Sequence, residues 1–414
     1  MSTKGQLSYI EGGGVTSAKG FVGAGVHAGF RRNPHRLDMG LVVAERPCPC
    51  AGTFTQNVFA SAPVKVSREV VGRGRARCVI VNSGNANAAT GAQGLAAATR
   101  TQDIVAGEFG CAADDVLVCS TGVVGIQLSL APFETGVPMA RERLSAFGGH
   151  DVASAIMTTD TFPKECAVHY ESAAEGLEGT GITVGGCVKG SGMIMPNMAT
   201  MICVITTDAP LAHEPLQHAL TAAVNASFNK VVVDGDTSPN DTCVLLASGA
   251  AAPDATIVEG SAAWDEFCRA LGAVCEGLAR QIATDGEGAT KLVTVNVRGA
   301  RDDADAEVAA RAVATSPLVK TAIFGHDCNW GRVAVKLGMS GAAFAEEDVS
   351  IDIMGIPVCR DGMQVDFDEN EALRRFEEKE IVIDCDLGAG EGACTIWTCD
   401  LSYDYVRING EYRT

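Results

Sequence analysis

Short apolar runs separated by small residues dominate the hydropathy pattern. Residues 78–82, 116–119, 183–188, 201–206, 230–233 and 242–247 are rich in β-branched side chains and bounded by Gly, Asn, Asp or Ser, which predicts strands. Longer Ala-rich or mixed stretches predict helices over 91–109, 154–158, 211–228, 263–283 and 302–315. Asp302 and Asp303 stand where the last of these begins, and a helix N-terminus favours negative charge. Strands and helices interleave, so the expected class is α/β (α+β) with layered packing. No repeat of fixed period is present. The Gly- and Glu-rich residues 176–181 read as a surface turn. Changes of composition near 250–260 and 344–368 mark candidate boundaries.

Composition narrows the function classes. A chain of 414 residues with 47% hydrophobic and 20% charged residues builds a sizeable core, as two or three domains or one large α/β architecture. A net charge of −19 repels phosphate backbones and anionic lipid, so neither nucleic acid nor a membrane surface is an expected partner. No run of 18 apolar residues offers a membrane span, and residues 1–14 lack the pattern of a signal peptide, so a cytoplasmic location is expected. The sixteen cysteines are scattered, many inside apolar strings, and read as reduced core thiols. Cys48 and Cys50 form only a C-x-C pair, so no structural metal is expected.

Most motif candidates are weak. None of the seven histidines stands in a hydrolase or metalloprotease arrangement. Residues 234–241 superficially resemble a calcium loop, but the sixth position is Pro239 and the twelfth is Leu245; an Asx-rich turn between strands fits better. Gly23, Gly25 and Gly29 have the wrong spacing for a dinucleotide loop, and a glycine turn is the better reading. Three segments are denser in reactive groups. Residues 81–91 pack amides behind a strand, as a binding loop or a helix cap. Ser120, Thr121 and Gly122 follow a strand and either aim N–H groups at an oxyanion or cap a helix. Residues 189–208 carry Lys189 on a glycine loop, then Ala199 and Thr200 at the head of an apolar strand. There Thr200 is a nucleophile or an ordinary β-branched residue.

The stretch from Lys189 through Gly-Ser-Gly-Met-Ile-Met-Pro-Asn-Met-Ala to Thr200 closely resembles the self-cleavage signature of the ornithine acetyltransferase family, the bifunctional glutamate N-acetyltransferases of the cyclic arginine pathway. Residues 81–91, 120–125, 157–161, 234–241, 285–292, 329–332 and 399–406 match further segments of that family in the same order, so the resemblance spans nearly the whole chain. It implies an N-terminal-nucleophile-like fold and a precursor that cuts itself between Ala199 and Thr200. The products would be an α chain of residues 1–199 and a β chain of 200–414, the latter with a smaller C-terminal part from about residue 290. The new α-amino group of Thr200 would serve as base for its own hydroxyl. The acetyl group of N2-acetyl-L-ornithine would pass through acetyl-Thr200 to L-glutamate. Thr121 and Gly122 match the oxyanion pair, and Thr158 or Thr159, Lys189, Glu287, Asn409 and Thr414 match substrate contacts. The tyrosines at 403 and 405 would give the tail an apolar anchor. Two α and two β chains would assemble. Acetyl-CoA stays open as a second donor, and no other cofactor is implied. Pro239 and Cys328 depart from the family pattern. An amidase or aminopeptidase with the same nucleophile, or an uncut binding protein on the same scaffold, are the competing expectations.

Overall fold

The computed structural model describes residues 5–195 and 201–411. Among them two sheets form. The larger runs Ser8–Tyr9, Lys164–Glu171, Gly181–Lys189, Ile202–Thr207, Thr242–Ala247, Met39–Phe54, Arg75–Asn85, Val116–Val123, with Phe21–Val26 added against Met39–Phe54. The 16-residue strand Met39–Phe54 bends where its register shifts between Val43 and Cys48. Its first half pairs with Arg75–Asn85 and its second half with Thr242–Ala247, so one strand belongs to two half-sheets.

Side-chain alternation then sorts the layers. Val79, Val81, Leu117 and Cys119 of one half-sheet meet Cys187, Ile202, Val204 and Val244 of the other in a shared core. Their neighbours Cys78, Ile80, Val116 and Val118 point outward, into a core formed with helices Ala62–Gly72, Gly91–Phe109 and Ala131–Arg143. Cys203, Ile205, Cys243 and Leu245 face helices His213–Ala226 and Ala262–Thr284. The order helices, sheet, sheet, helices is the expected layered α/β class.

The second sheet runs Met363–Gln364, Ile356–Arg360, Ser350–Ile353, Glu380–Asp386, Leu292–Ala300, Gly392–Cys399 and packs on helices Asp303–Ala314, Pro317–Phe324 and Trp330–Gly338. The Asp302 carboxylate accepts the Asp305 N–H at 2.9 Å, capping the helix as its position suggests.

Several expectations change. Residues 230–233 form no strand. A 3-10 turn Phe228–Lys230 leads into a single bridge from Val231 to Trp397 of the second sheet, and both side chains pack into the core beneath helices His213–Ala226 and Ala262–Thr284. The helix expected at 154–158 is Gly149–Ile156, because Asp160 captures the Thr158 N–H at 2.8 Å and turns the chain. Residues 21–26 are a strand and not a glycine turn. The backbone of Asp151 lies where a Gly25 side chain would project, so glycine admits the crossing helix. Residues 250–260 are no boundary: Ile257 is buried in the first core and its N–H reaches the Pro210 carbonyl. Residues 344–368 enter the second sheet itself. Twelve of the sixteen cysteines are buried free thiols.

Candidate active site

Strand register brings the reactive segments to one end of the sandwich. Lys189 pairs with Ile202 and Ile202 with Thr242, so the last residue of one strand meets the first residues of two others. On the facing half-sheet Thr121 pairs with Ser83 and Gly122 with Gly84. The strand continues through Thr121 and Gly122 to Val123, so these residues cap no helix. Gly122 has φ +131°, and a Cβ there would meet the Gly84 carbonyl carbon at 2.3 Å. Only glycine holds this backbone geometry.

The loop 234–241 is more than a turn. Asn240 sends its side-chain amide across to the carbonyls of Ala86 (2.6 Å) and Ser120 (2.7 Å), pinning the strand immediately before Thr121. Asp234 accepts the N–H groups of Met193 and Ile194, and Asp241 accepts that of Met201. The two ends of the described chain around residues 196–200 are thus each held by a carboxylate. Thr55 and Ser61 donate to backbone carbonyls of the same loop, Thr55 to Asp241 and Ser238 and Ser61 to Pro239. Asn240 carries no sequence signature; the density of Asx residues in one run was the available signal.

Below these strands lies a buried ionic cluster. Lys164 donates to Asp160 at 2.7 Å and to Asp285 at 2.5 Å, with all three side chains nearly solvent-free. Asp160 also accepts the N–H of Gly190 at 2.7 Å. Burial alone would raise its pKa, but Lys189 and Lys164 outweigh burial and hold Asp160 well below the usual carboxylate range. Lys189 is buried to 2% exposure. Burial pushes its ammonium pKa down, and Asp160 opposes that. Burial pushes the carboxyl of Asp241 well up, against the Met201 N–H and Lys189.

Asp285 follows the end of helix Ala262–Thr284 and carries the chain to Glu287. The Glu287 carboxylate occupies the space beside Gly192, and its N–H donates to the Ser191 carbonyl at 3.0 Å. Asn409 donates to Glu287 Oε2 at 2.8 Å from helix Tyr403–Glu411. That helix buries no residue fully; Tyr403, 84% exposed, packs its ring edge-on against Phe324 at 5.5 Å, so the expected apolar anchor is slight. Polar contacts add to it: Ser402 Oγ donates to the Gly288 carbonyl at 2.5 Å. Burial, then Asp234 and Glu287, push the nearby Tyr405 phenol up to about 12.

A cleft of about 360 Å³ opens beside the strand end, lined by Gly122, Thr158 and a run of arginines. Thr158 therefore shares a wall with Gly122, whereas Thr159 does not line the cleft. Thr121, Gly122, Thr158, Lys189, Glu287 and Asn409 all lie at this end of the molecule. Ala199, Thr200 and Thr414 lie outside the described residues. No group of three metal-binding side chains occurs among the described residues.

The profile of the ArgJ family matches residues 22–414. An arginine biosynthesis bifunctional protein ArgJ from Symbiobacterium thermophilum is 47% identical over 97% of this chain and 99% of its own. Its counterpart from Caldanaerobacter subterraneus is 46% identical over the same shares. A crystal structure of the ArgJ protein from Bacillus halodurans is 45% identical, covering 50% of this chain and 97% of that one, with a TM-score of 0.48. On the family profile and the full-length relatives, this chain belongs to the ArgJ family.

Proposed function

We propose that the protein is an acetyltransferase of arginine biosynthesis that moves the acetyl group of N2-acetyl-L-ornithine to L-glutamate. The family match through residues 22–414, which includes Thr200, carries this reading. Bifunctional ArgJ relatives at 46–47% identity support it.

The chain first cleaves itself between Ala199 and Thr200, freeing the α-amine of Thr200. An α-amine titrates near pH ~8, so a useful neutral fraction takes the hydroxyl proton at physiological pH. The Thr200 oxygen attacks the acetyl carbonyl, and Thr121 and Gly122 stabilise the oxyanion. The C–N bond breaks, the proton passes to the leaving amine, and ornithine departs. The neutral amine of glutamate then attacks the ester: a C–N bond forms, the C–Oγ bond breaks, and the amine proton returns to Thr200. Lys189 suits a substrate carboxylate and Glu287 an ammonium group, with Thr158, Asn409 and Thr414 as further contacts. Acetyl-CoA serves as a second donor to the same threonine. Two α and two β chains form the working unit, in the cytoplasm. In keeping with that location, no helix among the described residues is long and apolar enough to cross a membrane.

A denaturing gel with intact mass tests the first step, with two fragments expected, the second beginning at Thr200. Thr200→Ala is expected to stay uncut and to transfer no acetyl group. Near-normal turnover by that variant would remove the mechanism.

A further inference from the structure

The strand Val116–Val123, which carries Thr121 and Gly122 near its end, is the outermost of the larger sheet, so one of its edges has no strand partner. Side chains stand in for the missing ladder. Gln102 donates to the Val116 carbonyl at 2.9 Å. Ser67 Oγ donates to the Val118 carbonyl at 2.7 Å and accepts the Val118 N–H at 2.9 Å. Asn240 donates to the Ser120 carbonyl at 2.7 Å. Every second residue is held, in the rhythm of a strand, and the next position on that edge is Gly122. Gln102 and Ser67 come from helices that pack over the strand, Gly91–Phe109 and Ala62–Gly72. Asn240 comes instead from the loop that leads into Thr242–Ala247, in the facing half-sheet.

The second donation from the Asn240 carboxamide nitrogen goes to the Ala86 carbonyl at 2.6 Å, and the Ala86 N–H donates in turn to the Val123 carbonyl at 2.9 Å. Thr121 and Gly122 are therefore bracketed. Ser120 before them is tied to one nitrogen directly, and Val123 after them is tied to it through Ala86. Asn240 is itself buried and held in place: its N–H donates to Ser238 Oγ and its carbonyl accepts the Thr242 hydroxyl, both at 3.0 Å. The adjacent residue reaches the other way. Asp241 accepts the N–H of Met201, the residue that follows Thr200 in the chain, at 3.1 Å. Two neighbouring side chains on one loop thus fix the oxyanion strand and the head of the strand that begins just after Thr200.

We propose that Asn240 is a positioning residue for acetyl transfer, whose carboxamide sets where Thr121 and Gly122 stand relative to the strand that follows Thr200. The proposal rests on the acetyl-transfer reading. Donors to an oxyanion accelerate a reaction only when they already stand where the charge develops, and a misplacement of about 1 Å costs on the order of 100-fold in rate. An edge strand lacks the ladder that would hold its end in register. Asn240 supplies that hold at the last outward carbonyl before the donors, from the loop that also fixes Met201. Gln102 and Ser67 make the same kind of bond deeper in the strand, where only the fold depends on it. Loss of the Asn240 carboxamide leaves the Ser120 and Ala86 carbonyls without this donor and releases the strand at the point where position matters most.

The test uses the processed enzyme. Intact mass of the β chain after rapid mixing with N-acetylornithine reads the rate constant of acetyl-enzyme formation and, from its concentration dependence, the half-saturating concentration. Asn240→Ala is expected to lower the limiting rate constant about 10–100-fold and to leave half-saturation little changed. Asn240→Gln keeps the carboxamide on an arm one methylene longer and should recover part of the loss. Gln102→Ala frees a carbonyl of the same edge and is expected to lower the urea midpoint while keeping the rate constant. In a Thr121→Ala background, Asn240→Ala should cost less than it does alone, because one of the donors it places is gone. An unchanged rate constant overturns the proposal, as does a change in half-saturation alone. Fully additive losses, or an equal loss in Gln102→Ala, overturn it by marking a general structural role. If Asn240→Ala gives no processed protein, Asn240→Gln carries the same cycle; failure of both makes Asn240 a requirement of folding and also ends the proposal. A wild-type enzyme that forms no acetyl-enzyme removes the underlying reading, and the proposal falls with it.

Discussion

Lys164 and Lys291 are both buried, and they are held by opposite means. Lys164 lies between two carboxylates, Asp160 and Asp285, at the end of the sandwich that carries the site. Lys291 lies at the start of the second sheet's strand Leu292–Ala300 and donates to the carbonyls of Phe376, Glu377 and Glu378. Those carbonyls sit just past helix Glu369–Arg375, where a cation meets the negative end of the helix dipole. One lysine knits three loops around the chemistry; the other closes a helix in the frame. A paired charge costs heavily when its partner is removed, because a bare buried charge remains. A lysine bound only to carbonyls leaves neutral groups behind.

That contrast is open to attack. Lys164→Met strands two buried carboxylates and is expected to lower unfolding free energy by about 3–5 kcal/mol in urea titration. A loss smaller than that of Lys291→Met would end the comparison. Thr121→Ala, at the same end of the molecule, should cost ~2.7–4 kcal/mol of barrier, read as a fall in kcat with little change in KM. A change in KM alone would make Thr121 a binding residue. Lys291→Met is expected to cost about 1–3 kcal/mol of stability and to leave kcat unchanged; a lower kcat would show that the frame reaches the site. The smallest effect is with pH. Asp160 titrates below its unfolded value, so its stabilisation is complete above pH ~4 and is lost as pH falls through its folded pKa. Asp241, raised by burial, has the opposite sign. The acid limb of stability against pH should therefore flatten in Asp160→Asn; an identical limb would deny Asp160 its role.

The sequence was most legible where one element answers to one signal. β-branched runs located strands such as Thr242–Ala247, and a long apolar periodicity located helix Ala262–Thr284. It was opaque where tertiary contact decides. Met39–Phe54 carries Glu45, Arg46 and Pro47 in mid-strand, a pattern that reads as a break and is instead the bend between half-sheets. Lys164–Glu171 mixes charged and apolar residues because two of its charges serve the site region and the helix beside it. The candidate site was read from resemblance, not spacing: Thr121, Lys189 and Glu287 are far apart in the chain and are brought to one end of the molecule only through strand register and a helix end. Asn240 could not be found that way, since its meaning lies in which carbonyls it faces.

The burial of the thiols has a practical consequence. Each of the four apolar cores contains at least one cysteine: Cys243 beneath the long helix, Cys385 in the second sheet, Cys119 between the half-sheets, Cys78 under the outer helices. A pulse of alkylating reagent followed by peptide mass mapping would therefore time the opening of each layer separately, with no introduced label. The protein carries its own reporters of how it comes apart.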